Sequence, residues 1–129
     1  MHGKFANELE IMAFPCNQFG GQEPGSNAEI LTFVEKHGFP DPTHTTGFQI
    51  FAKTLVNGKD ADAVFSFLKN SKPGGGKDIR WNYAKFLVGA NGVPVKRYDA
   101  AFDLKKITRD IENLLDEKAE KDAEYDSGF

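Results

Sequence analysis

Residues 9–36 read LEIMAFPCNQFGGQEPGSNAEILTFVEK, and the change of texture along them sets the fold. Residues 9–14 are a short, nearly continuous apolar run that stops at Pro15, the pattern of a strand covered on both faces. Two prolines and three glycines fall between 15 and 25, so this stretch is a loop. Ser26 and Glu29 have the S-x-x-E spacing of a capping box, which predicts that two N–H groups at a helix start are satisfied there. Ile30, Leu31, Phe33 and Val34 supply that helix's apolar face, and Gly38 and Pro40 end it. A buried strand followed by an amphipathic helix is the first half of a parallel crossover.

Working outward, residues 39–47 form a polar loop and a second short strand is expected near 48–51. Asn57-Gly58 marks a turn, and Asp60 is placed to cap a helix whose Val64, Phe67 and Leu68 recur at helical spacing. The stretch 71–77 breaks this helix. Its Gly74-Gly75-Gly76 is a loop and not a phosphate cradle, because no strand precedes it and no Lys-Ser/Thr pair follows. Residues 85–89 and 93–98 read as strands of a hairpin turned at Asn91-Gly92, with Pro94 tolerable at a strand start or an edge. Leu104, Ile107, Ile111, Leu114 and Leu115 stripe a last helix, with Asp103 as its cap. The order strand, helix, strand, helix, strand, strand, helix predicts an α/β domain: a mixed sheet with helices on its faces. Spacing alone is compatible with several such folds.

The 129 residues suit one compact domain, and twelve phenylalanines provide for a core. Formal net charge is −3, with the acidic excess concentrated after residue 116, so the body presents no basic field for nucleic acid. Residues 1–116 are therefore read as the domain and 117–129 as an acidic helix end and tail. The single cysteine, Cys16, excludes an intramolecular disulfide within the chain and fits a reducing, cytoplasmic setting. No apolar run reaches the length of a membrane span, and residues 1–10 lack the basic-then-apolar pattern of a secretory signal. His2, His37 and His44 are scattered, and no metal site is expected.

Two segments carry a resemblance. FPCNQFGGQEPGS at 14–26 and WNYAKFLV at 81–88 closely resemble the signature segments of glutathione peroxidases, FPCNQF-x-x-QEPG and WNF-x-KFL. Val56-Asn57-Gly58 and the run 92–98 are similar to that family as well, in the same order and nearly the same spacing. The resemblance implies a thioredoxin-like three-layer α/β/α sandwich with a mixed sheet. It implies thiol-dependent reduction of hydrogen peroxide or of organic and lipid hydroperoxides, with glutathione or thioredoxin as the reductant and no bound cofactor. It assigns Gln22, Trp81 and Asn82 as the catalytic polar residues around an attacking cysteine or selenocysteine. Each carries N–H donors and no charge, which favours thiolate over thiol and stabilises charge on a leaving oxygen. Taken one at a time these residues have blander readings: a core tryptophan, an asparagine turn cap and a solvated glutamine. Only their combination in family order points to chemistry.

The family places its attacking residue upstream of the FPCNQF strand, in a loop after a further strand. The chain is accordingly read as N-terminally truncated, with the first strand and the peroxidatic segment absent, and as inactive by itself. Cys16 matches the cysteine of FPCNQF, which does not attack peroxide, and it reads as a small near-core residue. Thioredoxin-dependent members carry a resolving cysteine after the helix that follows QEPG. Here Phe33-Val34 is followed by Glu35-Lys36, which favours a cycle resolved by an external thiol. The short 71–77 loop suggests a monomer with an open site suited to bulky lipid hydroperoxides. Arg80, Lys85, Lys96 and Arg97 read as solvated charge, the alternative being attraction of the carboxylates of glutathione. The competing class is a catalytically inactive thioredoxin-fold fragment or binding module, which has no need of the Gln22–Trp81–Asn82 set.

Overall fold

The computed structural model describes residue 5 and residues 8–37, 48–99 and 103–127. Its elements are β1 (Ile11–Ala13), α1 (Asn27–Lys36), β2 (Phe48–Ile50), α2 (Ala63–Asn70), β3 (Lys85–Val88), β4 (Pro94–Tyr98) and α3 (Leu104–Ser127). The sequence order is thus reproduced element by element. The expected helix stop at Gly38 and Pro40 and the loop 39–47 lie outside the described residues.

β1 and β2 pair in parallel, Ile11 opposite Phe48 and Ala13 opposite Ile50, and β3 and β4 pair antiparallel. Both kinds of pairing expected of a mixed sheet are present. Among the described residues they form two separate two-stranded ladders. Side chains join them: Phe86 of β3 packs on a cluster of Cys16, Phe19, Val56 and Ile79, whose first two residues follow β1. β1 is also less covered than its apolar run suggests, for Met12 is 50% exposed.

Alternation along β3 builds the layers. Leu87 points into a second cluster, with Tyr98 of β4 and Ile107 and Ile111 of α3, while Phe86 points the opposite way, to the cluster that Phe65 of α2 also joins. The β3–β4 ladder therefore has α3 on one face and α2 with the loops on the other. On α3 the predicted stripe holds at Ile107, Ile111 and Leu115, whereas Leu104, in the first turn, is exposed. Asp103 accepts from the Lys106 N–H at 3.1 Å, as expected of a cap. The helix continues to Ser127 through the acidic stretch, with Lys118 and Asp122 paired one turn apart at 2.7 Å.

Two local details, at the starts of α2 and α1, differ from expectation. α2 is capped by Asp62, not Asp60: the Asp62 N–H is held by the Leu55 carbonyl at 2.8 Å, and its side chain accepts from the Val64 N–H at 2.9 Å. That start turns Phe65 and Leu68 inward and leaves Val64 and Phe67 exposed. At α1, the Ser26 hydroxyl accepts from the Glu29 N–H and donates to the Glu29 carboxylate, both at 3.2 Å, in place of the fully reciprocal box. In the hairpin only Gly92 takes positive φ, +82°. A register shift at Leu87/Val88 puts Pro94 opposite Val88 at the strand start, and the Gly89 N–H to Val93 carbonyl bond closes the turn without it.

The glycine run after α2 is spent on the helix end. Gly75 N–H donates to the Ser71 carbonyl and Gly76 N–H to the Lys69 carbonyl at 2.8 Å, so these amides cap α2 and do not converge on an anion.

Candidate active site

Gln22 and Asn82 lie sixty residues apart in sequence and meet side chain to side chain: Asn82 Nδ2 donates to Gln22 Oε1 at 2.8 Å. The third predicted residue, Trp81, stands beside the same loop. A Cβ built on Gly20 would lie 3.1 Å from Trp81 Cη2 and 3.8 Å from Gln22 Cγ, so indole and glutamine flank this glycine. Gly20 also has φ +67°, and both facts call for glycine at this position. The Phe19 and Trp81 rings are 6.0 Å apart, tilted by 54°.

The loop that carries Gln22 is fixed from several sides. Asn17 Oδ1 accepts from the Glu23 N–H at 2.9 Å. Lys53 reaches across to donate to the carbonyls of Glu23 and Gly25 at 3.1 and 2.6 Å, and its own N–H donates to Asn27 Oδ1. Trp81 and Asn82 sit just before β3, and the next residue, Tyr83, has φ +67°. An aromatic residue in the left-handed region costs about 1–2 kcal/mol. The Lys85 ammonium, which burial pushes below its usual pKa, donates to the Tyr83 carbonyl and helps hold the turn.

Trp81 is 46% exposed, which rules out the bland reading of a core tryptophan. Asn82 is half-buried and Gln22 exposed. With Gln22 Oε1 occupied by Asn82, the Gln22 amide N–H groups and the Trp81 indole N–H have no hydrogen-bond acceptor among the described residues. The arrangement is an open surface site with uncharged donors to offer an incoming polar atom.

Cys16 is not one of these donors. It is buried in the cluster with Phe19, Val56 and Ile79, and its Sγ approaches Gln18 Oε1 at 3.5 Å. This agrees with a near-core residue. Arg97 departs from the expectation of solvated charge. Its side chain is only 9% exposed, and its guanidinium donates to the carbonyls of Gly74, Lys77 and Asp78, each at 2.8 Å, and to Asp99 at 3.0 Å. Facing three carbonyls in a confined space, it is a structural clamp, unavailable to a reductant's carboxylates. Sequence reading also missed Gln18, Lys69 and the side chain of Asn57, which are joined by hydrogen bonds. Asn57-Gly58 signals a turn, but nothing in the sequence says what its amide touches.

Among the described residues no cluster of His, Cys, Asp or Glu could hold a metal ion, and no helix is long and apolar enough to cross a membrane.

The chain is similar to known proteins. The family model for glutathione peroxidase matches residues 1–69. A glutathione peroxidase of Schistosoma mansoni is 46% identical over 121 residues, covering 92% of this chain and 68% of the relative. A probable phospholipid hydroperoxide glutathione peroxidase of Helianthus annuus is 47% identical over 108 residues, covering 83% of this chain and 57% of the relative. The crystal structure of T. cruzi GPX1 superposes with a TM-score of 0.65 at 32% identity, over 88% of this chain and 65% of that one. The chain thus spans roughly three fifths to two thirds of the length of these proteins. With a thioredoxin-like α/β arrangement and the two signature segments brought together in space, the chain belongs to the glutathione peroxidase family.

Proposed function

We propose that the protein bearing this chain reduces hydroperoxides with a thiol donor, and that Gln22, Trp81 and Asn82 are its polar catalytic residues. The observation that carries the reading is the 2.8 Å contact between Asn82 and Gln22, which makes one site of two distant segments with Trp81 beside it. In this reading a thiolate or selenolate, supplied by a residue other than Cys16, attacks one oxygen of the O–O bond. The second oxygen leaves with a proton as the alcohol, or as water from hydrogen peroxide. The sulfur or selenium is left as the sulfenic or selenenic acid. Two external thiols then restore it, giving a disulfide and water. Donors from Trp81 and Gln22 favour the anionic nucleophile and meet the charge that develops on the leaving oxygen.

The donor is glutathione or thioredoxin. The lack of the resolving cysteine, with Phe33-Val34 followed by Glu35-Lys36, favours glutathione, because resolution then needs no second cysteine of its own. The exposed rim of Trp81 and Tyr83 suits bulky organic hydroperoxides. The domain reading, 1–116 with an acidic end at 117–129, is retained as part of this proposal, as is a monomeric protein. A polypeptide of these 129 residues alone is expected to turn over no peroxide, since its one thiol is buried.

The test is thiol-dependent consumption of an organic hydroperoxide by the protein, with glutathione and reduced thioredoxin compared. Turnover is expected to survive Cys16→Ser and to fall about 100-fold in Trp81→Ala and in Gln22→Ala, the scale of losing a donor to a developing oxyanion. A folded protein without turnover, or turnover abolished by Cys16→Ser alone, would sink the proposal.

A further inference from the structure

We infer that Asn57 is the positioning residue that holds the two halves of this site in register. The inference rests on the proposed role of Gln22, Trp81 and Asn82. The polar contacts of Asn57 point in two directions. Toward the Gln22 loop, the Asn57 backbone N–H donates to Gln18 Oε1 at 3.0 Å, and the Asn57 carbonyl accepts from Gln18 Nε2 at 3.0 Å. Gln18 Oε1 also takes the Val56 N–H at 2.8 Å, so one glutamine amide reads this turn as a neighbouring strand would. Toward the Trp81 segment, Asn57 Oδ1 accepts from the Ile79 N–H at 2.9 Å, and Asn57 Nδ2 donates to the Ile79 carbonyl at 2.7 Å. Asn57 Oδ1 has a further donor in Lys69 Nζ at 3.3 Å, and Lys69 is itself only 8% exposed.

Gln18 is four residues before Gln22, and Ile79 is two before Trp81. One residue thus grips both segments close to the side chains that must meet. A carboxamide is needed for this. It must donate to a carbonyl and accept from an N–H of the same residue, and only an amide presents both groups in one plane. Val56 and Ile79 are buried in the cluster beneath, 3% and 4% exposed. The amide pair therefore rests on a packed floor and has few ways to relax if one partner is lost. Gly58 has φ +89°, so Asn57 leads into a turn whose backbone an ordinary residue would resist.

The experiment uses the protein with Asn57→Ala, Asn57→Asp and, as a stability control, Ile111→Ala. Ile111 lies in the other core cluster, against α3. Trp81 is the single tryptophan of these 129 residues, and with any other tryptophan of the protein replaced by phenylalanine its emission and its quenching by acrylamide report the site directly. Both are read well below each variant's unfolding midpoint, beside the rate of hydroperoxide reduction. Asn57→Ala is expected to change the Trp81 emission and raise its quenching. It is also expected to lower the peroxide rate tenfold or more, the scale of a small misplacement of reacting groups. Asn57→Asp keeps the acceptor for the Ile79 N–H and for Lys69, so it should stay folded with a smaller change of the same sign, and it decides the question if the alanine variant does not fold. Ile111→Ala should lower the midpoint while leaving Trp81 and the rate as they were. Asn57 variants that match Ile111→Ala in Trp81 signal and rate would overturn the inference. A wild-type protein without peroxide turnover would defeat the activity proposal, while the Trp81 signal would still decide whether Asn57 holds the segment.

Discussion

Replacing Arg97 with methionine removes a charge but keeps most of the apolar stem, so the cost isolates what the guanidinium holds. It donates to three carbonyls at 2.8 Å, those of Gly74, Lys77 and Asp78. The last two lie on exposed residues and recover water when the donor leaves, so each is worth about 0.5–1 kcal/mol. Gly74 is buried, and its orphaned carbonyl costs about 1–3 kcal/mol. The guanidinium also sits 5.4 Å from the Phe86 ring centre, a contact worth about 0.5–1 kcal/mol. The pair with Asp99, whose side chain is 60% exposed, adds little. Together Arg97→Met should cost about 2.5–6 kcal/mol, which at about 4 °C per kcal/mol for a domain of this size lowers Tm by roughly 10–24 °C. The measurement is urea unfolding followed by far-UV circular dichroism, with an unchanged m-value as the check that only stability moved. Arg97→Lys should recover less than half, because one ammonium cannot span three acceptors set around a planar fork. A loss below about 1 kcal/mol for Arg97→Met, or an Arg97→Lys protein as stable as wild type, would refute the clamp.

A Cβ on Gly74 would clash with the backbone carbonyl oxygens of Leu68 and Lys69; Gly74→Ala should therefore cost about 3 kcal/mol or more in the same unfolding assay. Gly75→Ala, with nothing within 4 Å but φ +65°, should cost only about 1 kcal/mol, and the reverse order would contradict the packing at the end of α2. Tyr98→Phe removes the hydroxyl donated to Asp110 from a buried ring and should cost about 2 kcal/mol. Burial, reinforced by that carboxylate, pushes the Tyr98 pKa well above its usual 10. The folded state thus favours the protonated phenol. Its contribution is full below about pH 10 and is lost as pH rises through the folded pKa, so wild type should lose stability above about pH 10 more steeply than Tyr98→Phe. Ser26→Ala should cost about 1 kcal/mol through loss of the α1 cap, and no change in midpoint would mean that the Glu29 N–H finds water instead.

The sequence by itself determined the elements and pointed to the residues proposed for the site. Apolar period, capping residues and the Asn91-Gly92 turn act over a few residues, so they place β1, α1, the β3–β4 hairpin and α3 without knowledge of anything distant. Gln22, Trp81 and Asn82 could be proposed as site residues because two signature segments stand in family order. Contact across long sequence separations was left to the tertiary structure. Which of two aspartates caps α2 depended on a bond from the Leu55 carbonyl, and which α2 face turns inward followed from that choice. Arg97 and Asn57 look like surface charge and a turn residue in one dimension. They become a clamp and a bridge because Gly74 to Ile79 is folded against them, and buried carbonyls and amides must find partners wherever the chain brings one within reach.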